Sequence, residues 1–319
     1  EAGVEPAATP GVVHRTDTRQ RYIDHVLEVA GADGIADLAV AADAGNGVAG
    51  VVLPTLFEQI SARLTGLYLE PDGTFPNHHP DPLRPENLRD LEAVMRREPF
   101  ALGVAFDGDA DRAFFIDDKV RPLPGSTVTA MLASWFLHRE PGARIVHNLI
   151  CSRAVPETIQ AHGGIPVRTR VGHSYIKSVM AETKAVFGGE HSGHYYFRDN
   201  YRADSGVLAL LVLLRLMSED GRPLSEIRTE YERYAQSGEI NIEVADQEAA
   251  TARVAEVFSG DQDLLDGLTV SLGDRWFNLR PSNTEPVLRL NVEAPDAAAV
   301  AALVDAVSAT VKEASGVGV

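Results

Sequence analysis

The chain reads as an α/β protein: two consecutive α/β domains with mixed, largely parallel sheets, then a smaller α+β C-terminal domain. Three observations predict this. Apolar strands alternate with amphipathic helices through the first hundred residues, the cycle restarts after the Pro/Gly break Arg121–Gly125, and beyond Gly221-Arg222-Pro223 closely spaced strands replace it. Residues 1–18, rich in Ala, Pro, Gly and Thr, carry no apolar period and read as a linker. From Arg19, the spacing of Tyr22, Ile23, Val26, Leu27 and Val29 predicts a helix that stops at Gly31. Segments 38–47 and 65–73 read as strands, 48–60 and 85–98 as helices, and 100–117 as two strands flanking an acidic loop. This sets a first domain over 19–119.

The second domain, 120–222, takes helices at 126–138, 152–164 and 174–183 and strands at 143–150, 165–171 and 185–193, the last opening into a loop. A long apolar helix follows over 203–220. Residues 223–236 read as a connecting helix, and the third domain, 223–319, continues with strands at 240–246, 268–273, 275–280 and 287–294. Helices are expected near 247–258 and from Pro295.

Composition limits the function. The 319 residues carry a net charge of −17, which argues against a general nucleic-acid binder, since that role needs a basic field. The apolar run Val207–Leu214 ends at Arg215, far short of the roughly 20 residues that span a bilayer. No membrane partner and no signal peptide are expected. A single cysteine, Cys151, excludes an internal disulfide and suits a reducing cytoplasm; it reads as a small buried residue rather than a nucleophile.

Six stretches are candidates for chemistry. Gly45-Asn46-Gly47-Val48-Ala49-Gly50, between a strand and a helix and followed by Glu70, fits a dinucleotide-binding fingerprint; it equally fits a tight strand-to-helix turn. Asp107-Gly108-Asp109-Ala110-Asp111-Arg112 brings three carboxylates toward one point, where their repulsion calls for a hard cation. Few protein ligands and room for substrate oxygen favour Mg²⁺, and Arg112 adds a fork for a phosphoryl group. An EF-hand would need glycine where Arg112 stands. In Gly188–His194, an extended loop points Glu190, Ser192 and His194 the same way, suiting them to sugar hydroxyls and a proton. Arg280-Pro281-Ser282-Asn283-Thr284 makes a phosphate cradle or a plain polar turn. Arg168 to Lys177, with His173, concentrates cations that either gather an anion or lie idle at the surface. His78-His79 is a weak metal pair in a Pro-rich loop.

Together these motifs resemble the α-D-phosphohexomutase family, in its bacterial phosphomannomutase/phosphoglucomutase branch. DGDADR is similar to the family's metal loop, GGEHSGH to its sugar-binding loop and RPSNTEPVLRL to its phosphate-binding loop. VAADAGNGVAG, DGTFPNHHPDPLRPENL and VGHSYIK match further blocks, so the resemblance runs from about residue 15 to 319. It implies Mg²⁺ at Asp107, Asp109 and Asp111, with Arg112 beside the phosphoryl group and His194 and His173 lining the sugar site. Lys177 joins the substrate residues, Glu190 and Ser192 hold sugar hydroxyls, and Arg280, Ser282, Asn283 and Thr284 hold the non-reacting phosphate. The implied partners are hexose phosphates and a hexose 1,6-bisphosphate activator.

Two departures stand out. The family's phosphoserine lies in a Ser-His-Asn-type loop of a further N-terminal domain, and no Ser-His-Asn occurs here. The sequence begins at Glu1 rather than Met, on what resembles the linker after that domain. The expectation is therefore that the nucleophile comes from sequence preceding Glu1. Ile150 stands where relatives often carry lysine. The rival readings are a sugar-phosphate-binding protein without catalysis, and an NAD-dependent oxidoreductase using Gly45–Gly50. Sugar preference and oligomeric state stay open.

Overall fold

The computed structural model describes residues 11–282 and 285–314. Helix α1 (Arg19–Ala30) ends at Gly31, whose left-handed backbone (φ 60°) lets its N–H cap the last turn. Strands β1 (Ala39–Asp43), β2 (Arg63–Leu67), β3 (Leu102–Phe106) and β4 (Ala113–Asp117) form the first sheet, with α2 (Ala49–Phe57) and α3 (Arg89–Met95) between them. Its order is β2-β1-β3-β4; β1 runs parallel to β2 and β3, and β4 returns antiparallel.

The second domain repeats that plan. Helix α4 (Gly125–Arg139) leads into β5 (Arg144–Asn148), α5 (Ala154–Ala161), β6 (Ile165–Thr169), α6 (His173–Thr183), β7 (Phe187–Gly189) and β8 (Tyr195–Phe197). The order is β6-β5-β7-β8, again with two parallel pairings and one antiparallel edge. Helix α7 (Gly206–Asp220), capped at its start by the Ser205 hydroxyl, is buried almost all round, as a helix wedged inside a core must be. Its leucines join Ile23, Leu53, Phe106, Leu132 and Phe187 in one apolar cluster, so both sheets share a core.

The C-terminal domain has a core of its own. Strands β9 (Ala235–Glu243), β10 (Asp261–Asp263), β11 (Leu268–Ser271), β12 (Trp276–Pro281) and β13 (Val287–Ala294) make an antiparallel sheet ordered β10-β11-β12-β13-β9, backed by α9 (Gln247–Val257) and α10 (Ala297–Ala314). The connecting helix expected over 223–236 is not formed. Only α8 (Leu224–Ile227) and a 3₁₀ turn at Arg228–Glu230 appear. Arg228 turns inward to Asp117 at 2.8 Å and Glu232 at 2.7 Å, and Ala235 and Gln236 are already paired with β13. Tertiary pairing overrides the helical period there. The short strands β8 and β10 are further additions to the sequence reading. Among the described residues no helix is long and apolar enough to cross a membrane.

Candidate active site

The acidic loop and the glycine-rich loop occupy equivalent places. Each follows the third strand of its sheet and turns into the antiparallel edge strand, at the carboxyl end where α/β ligand sites form. The two loops also touch. Arg112 and His194 form an antiparallel bridge, and the Ala113 N–H donates to the Gly193 carbonyl at 3.2 Å. Glycine is needed at 193: its φ is +86°, and a Cβ would sit 2.9 Å from the Phe114 ring.

In the acidic loop, Ala110 takes a left-handed turn (φ 60°), and around it Asp107 is buried, Asp111 half-buried and Asp109 exposed. Their carboxylate oxygens lie within 4.8 Å of one another. Asp107 is anchored by Arg112, accepting from its backbone N–H at 3.2 Å and its Nε at 2.7 Å. Arg112 also lies 3.8 Å from Asp81 and 3.9 Å from Asp111. Asp111 has no such support. Burial and the neighbouring charges of Asp107 and Asp109 push its carboxyl up to about 7, and its Oδ1 is buried with no hydrogen-bond partner. An orphaned anionic oxygen beside two further carboxylates is a donor set that a divalent cation completes, and hard oxygen ligands suit Mg²⁺.

The second loop is wired differently. Glu190 is buried, and its Oε1 accepts from Asn148 Nδ2 and the Gly172 N–H, both at 3.1 Å. Its Oε2 accepts from the Tyr196 hydroxyl at 2.7 Å. His194 Nδ1 lies 3.0 Å from the Ser192 hydroxyl and 3.6 Å from Glu190, and its Nε2 lies 3.5 Å from Asp111 Oδ1. One imidazole therefore spans the two loops. Burial holds its pKa below the ordinary histidine value. Lys177 reaches Asp204 at 2.8 Å, and Asp204 groups with Asp111 and His194 within 4.8 Å. His173 is exposed at the first turn of α6.

Arg280, at the end of β12, lies 3.4 Å from Glu239 and 3.7 Å from Asp266. Asp266 Oδ2 accepts from the Val171 N–H at 3.1 Å, one residue before the Gly172 N–H that holds Glu190. Short contacts thus run from Arg280 through Asp266, Gly172, Glu190 and His194 to Asp111. The Ser282 N–H donates to the Val287 carbonyl at 3.0 Å; Asn283 and Thr284 lie outside the described residues.

Asn148, Gly172 N–H, Tyr196, Asp204 and Asp266 are site residues that sequence reasoning missed. Gly172 lies in the VGHSYIK block, which marks no role for its N–H, and no motif marks the other four, because each meets its partner only through the fold. Ile150 and Cys151 are buried; Cys151 Sγ lies 3.2 Å from Asn148 Oδ1, and burial pushes its thiol up to about 12.

The Gly45–Gly50 turn has a structural reason. A Cβ at Gly47 would meet the Gly108 carbonyl at 2.6 Å, and one at Gly50 the Leu69 carbonyl at 1.9 Å. The Asn46, Gly47 and Val48 N–H groups donate to Tyr68, Ala44 and Gly108. Those amides are spent within the protein rather than aimed at a pyrophosphate, so the turn buttresses the acidic loop. His78 serves the same corner, pairing with Asp43 at 3.0 Å while Asp43 accepts from the Gly45 N–H at 2.8 Å.

Comparison with known proteins matches residues 20–120 to Phosphoglucomutase/phosphomannomutase, alpha/beta/alpha domain II. Residues 124–234 match alpha/beta/alpha domain III, and residues 239–310 the C-terminal domain. The chain belongs to the phosphoglucomutase/phosphomannomutase family. It is 40% identical over 261 residues to a phosphomannomutase of Methanocaldococcus jannaschii, covering 82% of this chain and 58% of that protein. It is 38% identical over 305 residues to a phosphomannomutase of Salmonella montevideo, covering 92% and 67%. A crystal structure of a phosphoglucomutase/phosphomannomutase family protein from Burkholderia thailandensis superposes with a TM-score of 0.85 at 31% identity, over 94% of this chain and 65% of that one. The chain thus spans roughly three fifths to two thirds of these relatives' length.

Proposed function

We propose that this chain is the metal-, sugar- and phosphate-binding portion of a phosphohexomutase that interconverts hexose 1-phosphate and hexose 6-phosphate of the mannose and glucose series. The observation that carries the reading is the run of contacts from Arg280 to Asp111, which links a cation fork, a buried carboxylate hub and an acidic trio through one continuous path. Family membership and the names of its relatives support the same reaction class.

In this reading Asp107, Asp109 and Asp111 hold Mg²⁺, which supplies electrostatic neutralisation of a phosphoryl group in transfer. Arg112, fixed by Asp107, presents its remaining N–H donors to that group. Glu190, immobilised by three donors, keeps lone pairs for sugar hydroxyls, and Ser192 supplies a further hydroxyl contact. His194, reaching from its own loop to Asp111 and held by burial below the ordinary histidine pKa, takes or returns a hydroxyl proton in this reading. Arg280, with Ser282, Asn283 and Thr284, holds the phosphate that does not react; His173 and Lys177 border the sugar. The phosphoryl donor is a phosphoserine outside this sequence, and transfer gives a hexose 1,6-bisphosphate that turns over and returns its other phosphate to the serine. The compartment is the cytoplasm.

The test is a coupled assay on the intact protein with glucose 1-phosphate or mannose 1-phosphate. Activity requiring Mg²⁺ and falling about 10²–10³-fold in Asp109→Asn is expected. Turnover that ignores both Mg²⁺ and this substitution sinks the proposal.

A further inference from the structure

Arg168 and Arg170 are the cations of the 168–177 stretch that the reaction does not use. In the structure they hold the C-terminal domain: Arg168 pairs with Asp263, and Arg170 Nε donates to the Leu265 carbonyl at 2.8 Å. The Val171 N–H completes the set by donating to Asp266 Oδ2 at 3.1 Å. Segment 263–266 is therefore strapped along the end of β6. Asn278 Nδ2, donating to the Asp266 carbonyl at 3.0 Å, fixes the strap's last residue from β12, two positions from Arg280.

The Arg280 guanidinium meets two carboxylates at 3.4 and 3.7 Å, at or beyond the length of a good hydrogen bond, while its Nε is buried with no partner. Glu239 is shared as well, with Arg289 at 3.3 Å. This guanidinium is loosely neutralised. A phosphate offering two oxygens in bidentate geometry binds such a fork better than two displaced carboxylates do.

We propose that Asp266 is a positioning residue that couples Arg280 to the sugar domain: it shares the guanidinium until a sugar phosphate arrives, and yields it then. Because the same Oδ2 holds the Val171 N–H, the exchange reaches the neighbouring Gly172 N–H and, through it, Glu190. The inference rests on Arg280 being the phosphate ligand proposed above. Asp266 thereby keeps Arg280 aimed while lowering its affinity for phosphate.

The experiment titrates inorganic phosphate into ¹⁵N-labelled protein and follows the Val171 and Gly172 amide signals together with the dissociation constant. In the wild type both signals move with phosphate. Asp266→Asn keeps an acceptor for Val171 but removes the competing charge, so phosphate binds roughly three- to tenfold tighter, the scale of one partly exposed ion pair. Asp266→Ala displaces the Val171 signal before any phosphate is added. Arg280→Lys weakens phosphate binding and uncouples the Val171 signal from it. A purely structural Asp266 predicts equal phosphate affinity in the wild type and D266N; that result, with R280K still weakening binding, overturns the coupling and leaves the phosphate role standing. Phosphate binding that is absent, or indifferent to R280K, overturns both.

Discussion

The two α/β domains share one strand order, and each sets a carboxylate directly after its third strand, yet the two loops are finished in opposite ways. Around Glu190, three donors from three separate segments satisfy the charge, so the fold itself completes the site. Asp107, in the equivalent place, is held among the described residues by Arg112 alone. Asp111, four residues on, faces two further carboxylates, with Arg112 at 3.9 Å and His194 at 3.5 Å, so that its Oδ1 is left buried without a hydrogen-bond donor. The same hairpin thus serves once as a rigid grip and once as a site that a ligand must complete. That division suits the proposed roles, a preorganised sugar contact at Glu190 and a cation site at Asp111.

Removing each carboxylate separates the two cases. Glu190→Ala strands Asn148 Nδ2, the Gly172 N–H and the Tyr196 hydroxyl in a buried setting, and is expected to cost about 2–4 kcal/mol in urea unfolding. Asp111→Asn has the opposite sign in EDTA. The folded carboxyl titrates at about 7 against 3.8 in the free side chain, so its charged form weakens the fold progressively above pH 3.8 and fully above 7. Removing that charge at pH 8 is expected to stabilise by about 1 kcal/mol, discounted for partial exposure. Equal destabilisation by both variants would erase the contrast.

The smallest effect concerns the buttress behind the acidic loop. The Asp43 carboxylate raises His78 from 6.5 to about 9. Their pairing therefore contributes fully below pH 6.5 and is lost as pH rises through about 9. His78 is partly exposed, so the contribution is under about 1 kcal/mol. His78→Gln should flatten the decline in urea midpoint between pH 6.5 and 10; an unchanged slope would remove the ion pair from the account.

The aspartate trio and the alternation of apolar strands with helices were legible because each is local. A hairpin turn places its own side chains, whereas the glycines were legible as turns but not in their reason: Gly47 is required by Gly108 and Gly193 by Phe114, both far off in sequence. What joins the loops was not legible. Asn148, Tyr196, Asp204 and Asp266 carry no motif, and Arg168 and Arg170, read either as anion-gathering cations or as idle surface arginines, instead meet the strap at 263–266. The stretch after Pro223 misleads for a related reason: its helical period is genuine, but Arg228 pairs with the distant Asp117, and Ala235 and Gln236 are taken into the sheet beside β13.

The central claim is that the acidic loop and the Glu190 loop face one bound hexose phosphate. Mn²⁺, a paramagnetic substitute for Mg²⁺, tests this directly when added to the protein with glucose 6-phosphate while the sugar's proton and ³¹P relaxation are recorded. The account predicts strong paramagnetic enhancement in the wild type, lost in Asp109→Asn and in Glu190→Ala. Glucose 6-phosphate that binds the wild type with no enhancement beyond the Asp109→Asn control would contradict it.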